Sequence, residues 1–163
     1  MKPLDTVVRE TLAGLLRELV DGPPDSFAYV LNPGDRGLLA SLDELSAETA
    51  SARPGGRSSV AAHVEHLRYG LELLNRWTRG EDPWATANYA ASWRRQQVTD
   101  DGWRDLRAQL REQAQAWTKA AAGLQDLSEV GLSGSFGSVV HLAYHLGAIR
   151  QLSAATRGPA ASD

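Results

Sequence analysis

Apolar residues recur every three or four positions in several long stretches of this chain, and this helical spacing is the feature that most limits its fold. The first stretch ends at "DGPP", residues 21–24, and a longer one with a wide apolar face follows Thr99. No segment alternates convincingly between apolar and polar residues, as a half-buried strand would. The pattern therefore predicts an all-α fold.

Glycine and proline clusters divide the helical segments from one another. "RPGG" at 53–56 precedes Ser58 and Ser59, either of which is expected to cap the next helix. "GLSGSFGS" at 131–138 predicts a further break, so the last helix is expected over 136–156. Four substantial helices joined by short or medium loops predict a four-helix bundle.

The remaining segments are predicted to connect these helices. Residues 37–52 are expected to form a short helix, and 80–98 an ordered loop that crosses the top of the fold. The tail at 158–163 is expected to fray. The length of 163 residues predicts one domain over 1–163.

Charge and hydropathy exclude several classes of protein. The net charge is −3 with both signs mixed along the chain, which is not typical of a protein that binds nucleic acid. No apolar run reaches the roughly 18 residues that a membrane-spanning helix needs. The N-terminal stretch carries charges within its apolar stripe, unlike a signal peptide. We therefore expect a cytoplasmic protein with no membrane or nucleic-acid partner.

The four histidines stand in two pairs, His63 with His66 and His141 with His145. Residues three or four apart share one face of a helix. The neighbours on those faces are apolar, so the faces are expected to point into the bundle. The spacing therefore predicts that imidazoles from two helices meet in the interior.

A metal ion is our interpretation of these histidines as a set. A single histidine on an apolar helix face is more typical of a hydrogen-bonded core residue, and that interpretation stays open for each one. Burying several imidazoles without partners costs free energy, however, and few acids lie beside them. There is no cysteine, so the ligands of any transition metal would be imidazole or oxygen. We expect two ligands from the last helix and one from the second.

Two common metal sites do not fit these residues. A zincin needs glutamate directly after the first histidine of its pair, but Leu142 follows His141. A di-iron bundle needs glutamates on its helices, and residues 138–155 contain no acid. Three histidine ligands would leave coordination positions open, as is typical of a catalytic metal.

Three motifs carry a resemblance to a known family. They are "RPGG" followed by "SSVAAHVEHL", a tryptophan-containing crossover with "SW" at 92–93, and "HLAYHLGAIRQL". Together they resemble the DinB/YfiT-like superfamily of four-helix metalloproteins over nearly the whole chain. In that family a histidine followed by an aliphatic residue, near the start of the second helix, joins an H-x-x-x-H pair. The resemblance implies the ligands His66, His141 and His145.

The resemblance also implies a fold, a cofactor and a chemistry. It implies a four-helix bundle with a long crossover loop, usually a homodimer, that binds Ni or Zn, with Fe or Mn as alternatives. Characterised relatives are thiol-dependent S-transferases and isomerases that use bacillithiol, mycothiol or glutathione. Since this chain has no cysteine, a low-molecular-weight thiol would have to be a cosubstrate, beside a small electrophilic substrate.

Three further residues are candidates for supporting roles. His63 is a departure from the family pattern, and either His63 or His66 could be the ligand from the second helix. We favour His66 as the ligand, with His63 behind the ligands or at the entry to the site. Arg150 is a candidate contact for a carboxylate on the thiol, with a structural ion pair as the alternative. Tyr144 is a candidate pocket residue, with core packing as the alternative.

The sequence leaves two functions open. The first is a metal-dependent, S-transferase-like or isomerase enzyme, whose site should be open to solvent. The second is a non-catalytic metal-binding, structural or stress-related helical-bundle protein, whose stability should depend on the metal.

Overall fold

The chain is all-helical in the computed structural model, which describes residues 1–25 and 27–160; these ranges contain no strand. The all-α prediction is thereby confirmed, while the end of the tail, where fraying is expected, lies outside the described residues. None of the helices in the described ranges is long and apolar enough to cross a membrane. In chain order the helices are α1 (Leu4–Asp21), α2 (Gly37–Asp43), α3 (Ala47–Ser51), α4 (Val60–Thr78), α5 (Tyr89–Ser92), α6 (Asp100–Ala122) and α7 (Glu129–Leu152).

Four long helices, α1, α4, α6 and α7, enclose the core. Both α6 and α7 pack against α1 and against α4, while α2 packs on α1 and α6, and α3 packs on α4 and α6. Each long helix contributes leucine, valine or tryptophan side chains to one continuous apolar cluster. Burying these side chains stabilises the fold by about 25 cal/mol for each Å² of apolar surface removed from water.

Two tryptophans of α6 lie at the centre of this core. Trp103 and Trp117 are both almost fully buried. The indole N–H of Trp103 donates to the carbonyl of Leu45 at 2.8 Å, and that of Trp117 donates to Ser138 Oγ at 2.9 Å. Because both polar N–H groups have partners, burying these large side chains leaves no unpaired donor.

Hydroxyl side chains begin three of the long helices. Ser59, Thr99 and Ser128 cap α4, α6 and α7, and each accepts a hydrogen bond from the backbone N–H three residues later. Such a cap contributes about 1 kcal/mol, because it satisfies one of the free N–H groups in the first turn. Of the two serines expected to cap the second long helix, Ser59 is the one that does so.

The predicted break at 131–138 is wrong, because these residues lie inside α7, which begins at Glu129. Glycine costs a helix about 1 kcal/mol relative to alanine, but tertiary packing offsets that cost here. Ser138 is buried, accepts from the Trp117 indole and donates to the carbonyl of Ser135 at 2.6 Å. At Gly131 a Cβ atom would lie 2.5 Å from the carbonyl oxygen of Asp126, so only glycine fits this close approach.

The crossover between α4 and α6 is held against the body by polar contacts. It contains the short helix α5, which packs on α4. The N–H of Asn88 donates to the hydroxyl of Tyr69 at 2.7 Å, and the N–H of Val98 donates to Ser51 Oγ at 3.0 Å. These contacts fix the crossover above the part of α4 that carries its two histidines.

Candidate metal centre

All four histidines of the chain meet where α4 packs against α7. His63 and His66 lie three residues apart on α4, and His141 and His145 lie four apart on α7, so each pair faces the opposite helix. One ring nitrogen from each of His66, His141 and His145 lies within 4.8 Å of the other two. The structure therefore brings together three imidazoles that could hold a metal ion.

The distances between these nitrogens fit a shared ion. His141 Nε2 lies 3.1 Å from His66 Nε2 and 2.9 Å from His145 Nε2. Two imidazole nitrogens that each bind one ion at about 2.1 Å lie about 3 Å apart when they subtend a right angle, and about 3.4 Å apart in a tetrahedron. One neutral ring nitrogen has either one proton or one lone pair, so His141 Nε2 cannot form two good hydrogen bonds. A cation between the three atoms would satisfy all of them.

The other nitrogen of His66 is held by Ser92, a buried residue of α5. His66 Nδ1 lies 2.8 Å from Ser92 Oγ, which donates its own proton to the carbonyl of Tyr89 at 2.7 Å. Ser92 Oγ therefore accepts from the Nδ1–H of His66, and the lone pair of the ring is left on Nε2. A metal ligand needs this tautomer. The "SW" at 92–93 carries part of the family resemblance, but this role of Ser92 was not predicted, because it depends on a residue 26 positions away along the chain.

His63 lies behind His145 rather than among the three converging nitrogens. Its Nδ1 atom lies 2.8 Å from His145 Nδ1. When the Nε2 lone pair of His145 faces the cluster, its Nδ1 carries the proton and donates it to His63. The structure thus places His63 where it can fix the ring orientation of His145.

Aromatic side chains surround the cluster on the crossover side and at the surface. The ring of Trp93 stacks on His66 with centroids 4.3 Å apart and an angle of 23° between the planes. The ring of Tyr144 lies 5.0 Å from His145, but its side chain is exposed and does not pack in the core. The indole shields the His66 side of the cluster from water.

Burial keeps these imidazoles neutral at physiological pH. Burial, together with the smaller effect of the neighbouring histidines, lowers the pKa of His66 to about 4 and that of His145 to about 3. Burial also lowers the pKa of His63 and of His141. At pH 7 the nitrogens therefore have lone pairs available for a metal without first losing a proton.

Arg150 lies away from the converging nitrogens, in an ion pair with Asp35. Its Nη2 atom is 2.8 Å from both carboxylate oxygens of Asp35, whose side chain is only 2% exposed. Asp35 also accepts from the N–H of Gly37 at 2.8 Å, so the pair fastens α7 to the segment that begins α2. Contact of Arg150 with a carboxylate of the thiol stays a prediction.

Comparison with known proteins gives the family of this chain. A family model described as the DinB superfamily matches residues 35–149, which include all four histidines and the crossover. No curated protein and no solved structure matches the chain. The family match covers well over half of the sequence, from α2 into the last turn of α7, and the chain belongs to the DinB superfamily.

Proposed function

We propose that this protein is a divalent-metal-dependent enzyme that transfers a low-molecular-weight thiol to a small electrophile, or isomerises such a molecule with the help of the thiol. The observation that carries the proposal is the convergence of three neutral imidazole nitrogens, with His141 Nε2 at 2.9 and 3.1 Å from its neighbours. In this proposal the histidines belong to a single four-helix-bundle domain of the DinB type.

Access to the cluster supports a catalytic rather than a structural metal. A structural zinc site is usually closed by four protein ligands, whereas a catalytic one has three and an open position. Among the described residues, the group that could hold a metal ion consists of three histidines. His141 is only partly buried and borders a cavity between α4 and α7, so a small molecule can reach its ring.

The residues of the chain have distinct roles in this proposal. His66, His141 and His145 hold the ion, while Ser92 and His63 orient two of these rings. When bound, a divalent ion supplies a Lewis acid that lowers the pKa of a thiol and polarises an electrophile. The thiol comes from a cosubstrate such as bacillithiol, mycothiol or glutathione, because the chain contains no cysteine. Trp93 excludes water from the His66 side.

Imidazole donors favour Ni or Zn in this proposal, with Fe or Mn as alternatives. The test is elemental analysis of the purified protein beside His66→Ala and His63→Ala, two variants of the same helix. We expect about one ion per chain in the wild type, almost none in His66→Ala, and more metal in His63→Ala than in His66→Ala, because His63 only orients His145 and is not itself a ligand. A wild type that holds no metal after incubation with Ni or Zn would contradict the proposal.

A thiol-conjugation assay tests the catalytic part. The metal-loaded protein is incubated with each thiol and an aryl halide, and conjugate formation is compared with that of the chelated protein. The alternative function is a non-catalytic metal-binding or structural protein, in which the ion ties α4 to α7. That alternative predicts no conjugation and a much lower melting temperature after chelation.

The exposed face of α7 supports a further part of the proposal, a homodimer. Between Val130 and Ile149 this helix carries no charged residue, although Val140 and Tyr144 are 68% and 69% exposed. Contiguous apolar surface of this kind is typical of an interface. Light scattering after size exclusion should give twice the chain mass, and Val140→Glu should give the mass of a monomer.

A further inference from the structure

Two adjoining cavities run along the cleft between α4 and α7. The first has a volume of about 170 Å³ and ends at the ring of His141. The second has a volume of about 400 Å³ and extends to Val130 near the start of α7. Both are bordered by Leu74, Trp84 and Gly134, so they adjoin, and we call the two together the α4–α7 groove.

Missing side chains create the space for this groove. A Cβ atom added at Gly134 or Gly137 of α7 would meet no atom within 4 Å. Across the groove on α4, a Cβ atom at Gly70 would lie 3.8 Å from Cε1 of His141. The glycines that cost α7 helical stability therefore leave room that leads directly to a histidine of the cluster.

The walls of the groove are apolar and aromatic. Leucines of α4 form one wall, and the aromatic rings of Trp84 and Tyr89, each 42% exposed, lie along the crossover side. Exposed aromatic rings beside a cavity provide flat surface that a ligand can cover. The groove therefore offers apolar contact along its length, with polar chemistry at the His141 end.

Charge in the groove disfavours anions. No lysine or arginine is among the residues that border it, and its one acidic residue, Glu129, lies at the end away from His141. Arg68, which follows Leu67 of the groove in the sequence, is already paired with Glu65 and Glu72. A carboxylate or phosphate inside the groove would lose water without gaining a cationic partner.

We propose that the α4–α7 groove binds an elongated, uncharged aromatic or aliphatic substrate, one end of which lies against His141. Along α7, Val130 and His141 are eleven residues apart, which corresponds to a groove about 16 Å long at 1.5 Å per residue. Substrate binding in the groove depends only on its shape and charge, whereas the reaction at His141 rests on the function proposed above.

A pair of fluorescent probes tests the charge and shape of the groove. N-Phenyl-1-naphthylamine is uncharged, and 1-anilinonaphthalene-8-sulfonate has the same rings with one added sulfonate. We expect the purified, metal-free protein to bind the uncharged probe at least tenfold more tightly. Equal affinity for the two probes, or tighter binding of the sulfonate, would overturn the proposal.

Leucine substitutions test the location of the bound probe. Gly134→Leu should fill the groove and lower the affinity for the uncharged probe at least tenfold, without changing metal content. Gly147→Leu is the matched control, because this glycine lies on α7 outside the groove and its added Cβ would also meet no atom within 4 Å. An equal loss of probe affinity in the two variants would overturn the proposal. If Gly134→Leu does not fold, Trp84→Ala replaces it, and we expect the same loss of probe affinity.

Metal content separates this inference from the proposed function. Selective probe binding by a protein that takes up no metal would leave the groove assigned and remove the enzyme proposal. A protein that binds one metal ion per chain but shows no preference between the probes would keep the enzyme proposal and remove the substrate groove. His145→Ala, at a ligand that borders neither cavity, should lose the metal and keep its affinity for the uncharged probe within threefold.

Discussion

Ser92 Oγ lies 2.8 Å from His66 Nδ1, so a serine of the crossover determines which nitrogen of a histidine on α4 faces the cluster. The same hydroxyl donates to the Tyr89 carbonyl, which leaves it only able to accept from the ring. The position of α5 is therefore coupled to the chemistry of the candidate metal site.

The first prediction concerns Ser92→Ala. Without the hydroxyl, His66 loses the acceptor that holds its tautomer, and we expect metal affinity to fall about 10- to 100-fold. Competition with a calibrated chelator measures this change. Ser58→Ala is the control, since Ser58 lies outside the cluster and should leave affinity unchanged. Equal affinity of Ser92→Ala and the wild type would show that the contact does not orient the ligand.

The second prediction is a loss of stability in acid. His66 and His145 have pKa values of about 4 and 3 in the folded protein, against 6.5 as the ordinary value. Below pH 6.5 these two side chains bind protons in the unfolded chain but not in the folded one. The free energy of unfolding should therefore fall as the pH is lowered from about 6.5 towards 4. Above pH 6.5 these groups should not change it. At about 1.4 kcal/mol for each pKa unit, the loss by pH 4.5 should be on the order of 3 kcal/mol for each of the two histidines.

Urea unfolding of the chelated protein at pH 7.5, 6.0 and 5.0 measures this dependence. His66→Gln, which cannot take up the proton, should reduce the slope. A free energy of unfolding that is constant across this range would contradict the burial of neutral imidazoles.

The third prediction concerns the buried ion pair of Arg150 and Asp35. Asp35→Asn leaves the guanidinium without its counter-charge, and we expect the free energy of unfolding to fall by about 3 kcal/mol. The exposed pair of Arg36 and Glu44 is the control, and Glu44→Gln should cost less than about 1 kcal/mol. Similar losses in the two variants would show that the buried pair is not a structural link. Loss of thiol affinity without loss of stability would favour the anion contact predicted from the sequence.

The fourth prediction compares two glycines of α7. Gly147→Ala should stabilise the protein by about 0.5–1 kcal/mol, because its Cβ atom meets nothing and alanine favours the helix. Gly131→Ala should destabilise it, because the new Cβ atom lies 2.5 Å from the carbonyl of Asp126. Thermal unfolding gives both changes, and stabilisation by Gly131→Ala would show that the start of α7 relaxes easily.

Local pattern was enough to predict most helices and the identity of the clustered residues. Helical spacing and caps depend on residues within a few positions of one another. The cap at Thr99 and the approximate positions of the long helices could therefore be predicted from the sequence. The pairing of the histidines predicted that imidazoles from two helices would meet, and the family resemblance added the choice of His66 beside His141 and His145, which do cluster.

Features that depend on contacts between distant parts of the chain could not be predicted from the local sequence pattern. Helix propensity predicted a break at 131–138, but packing of Ser138 against Trp117 of another helix offsets the cost of the glycines. The roles of Ser92 and His63 likewise depend on partners 26 and 82 residues away along the chain. The sequence by itself therefore determined where most helices form and that histidines from two helices cluster. Only the tertiary structure decided the start of α7, the tautomer of His66 and the groove that leads to His141, because each depends on atoms from separate helices.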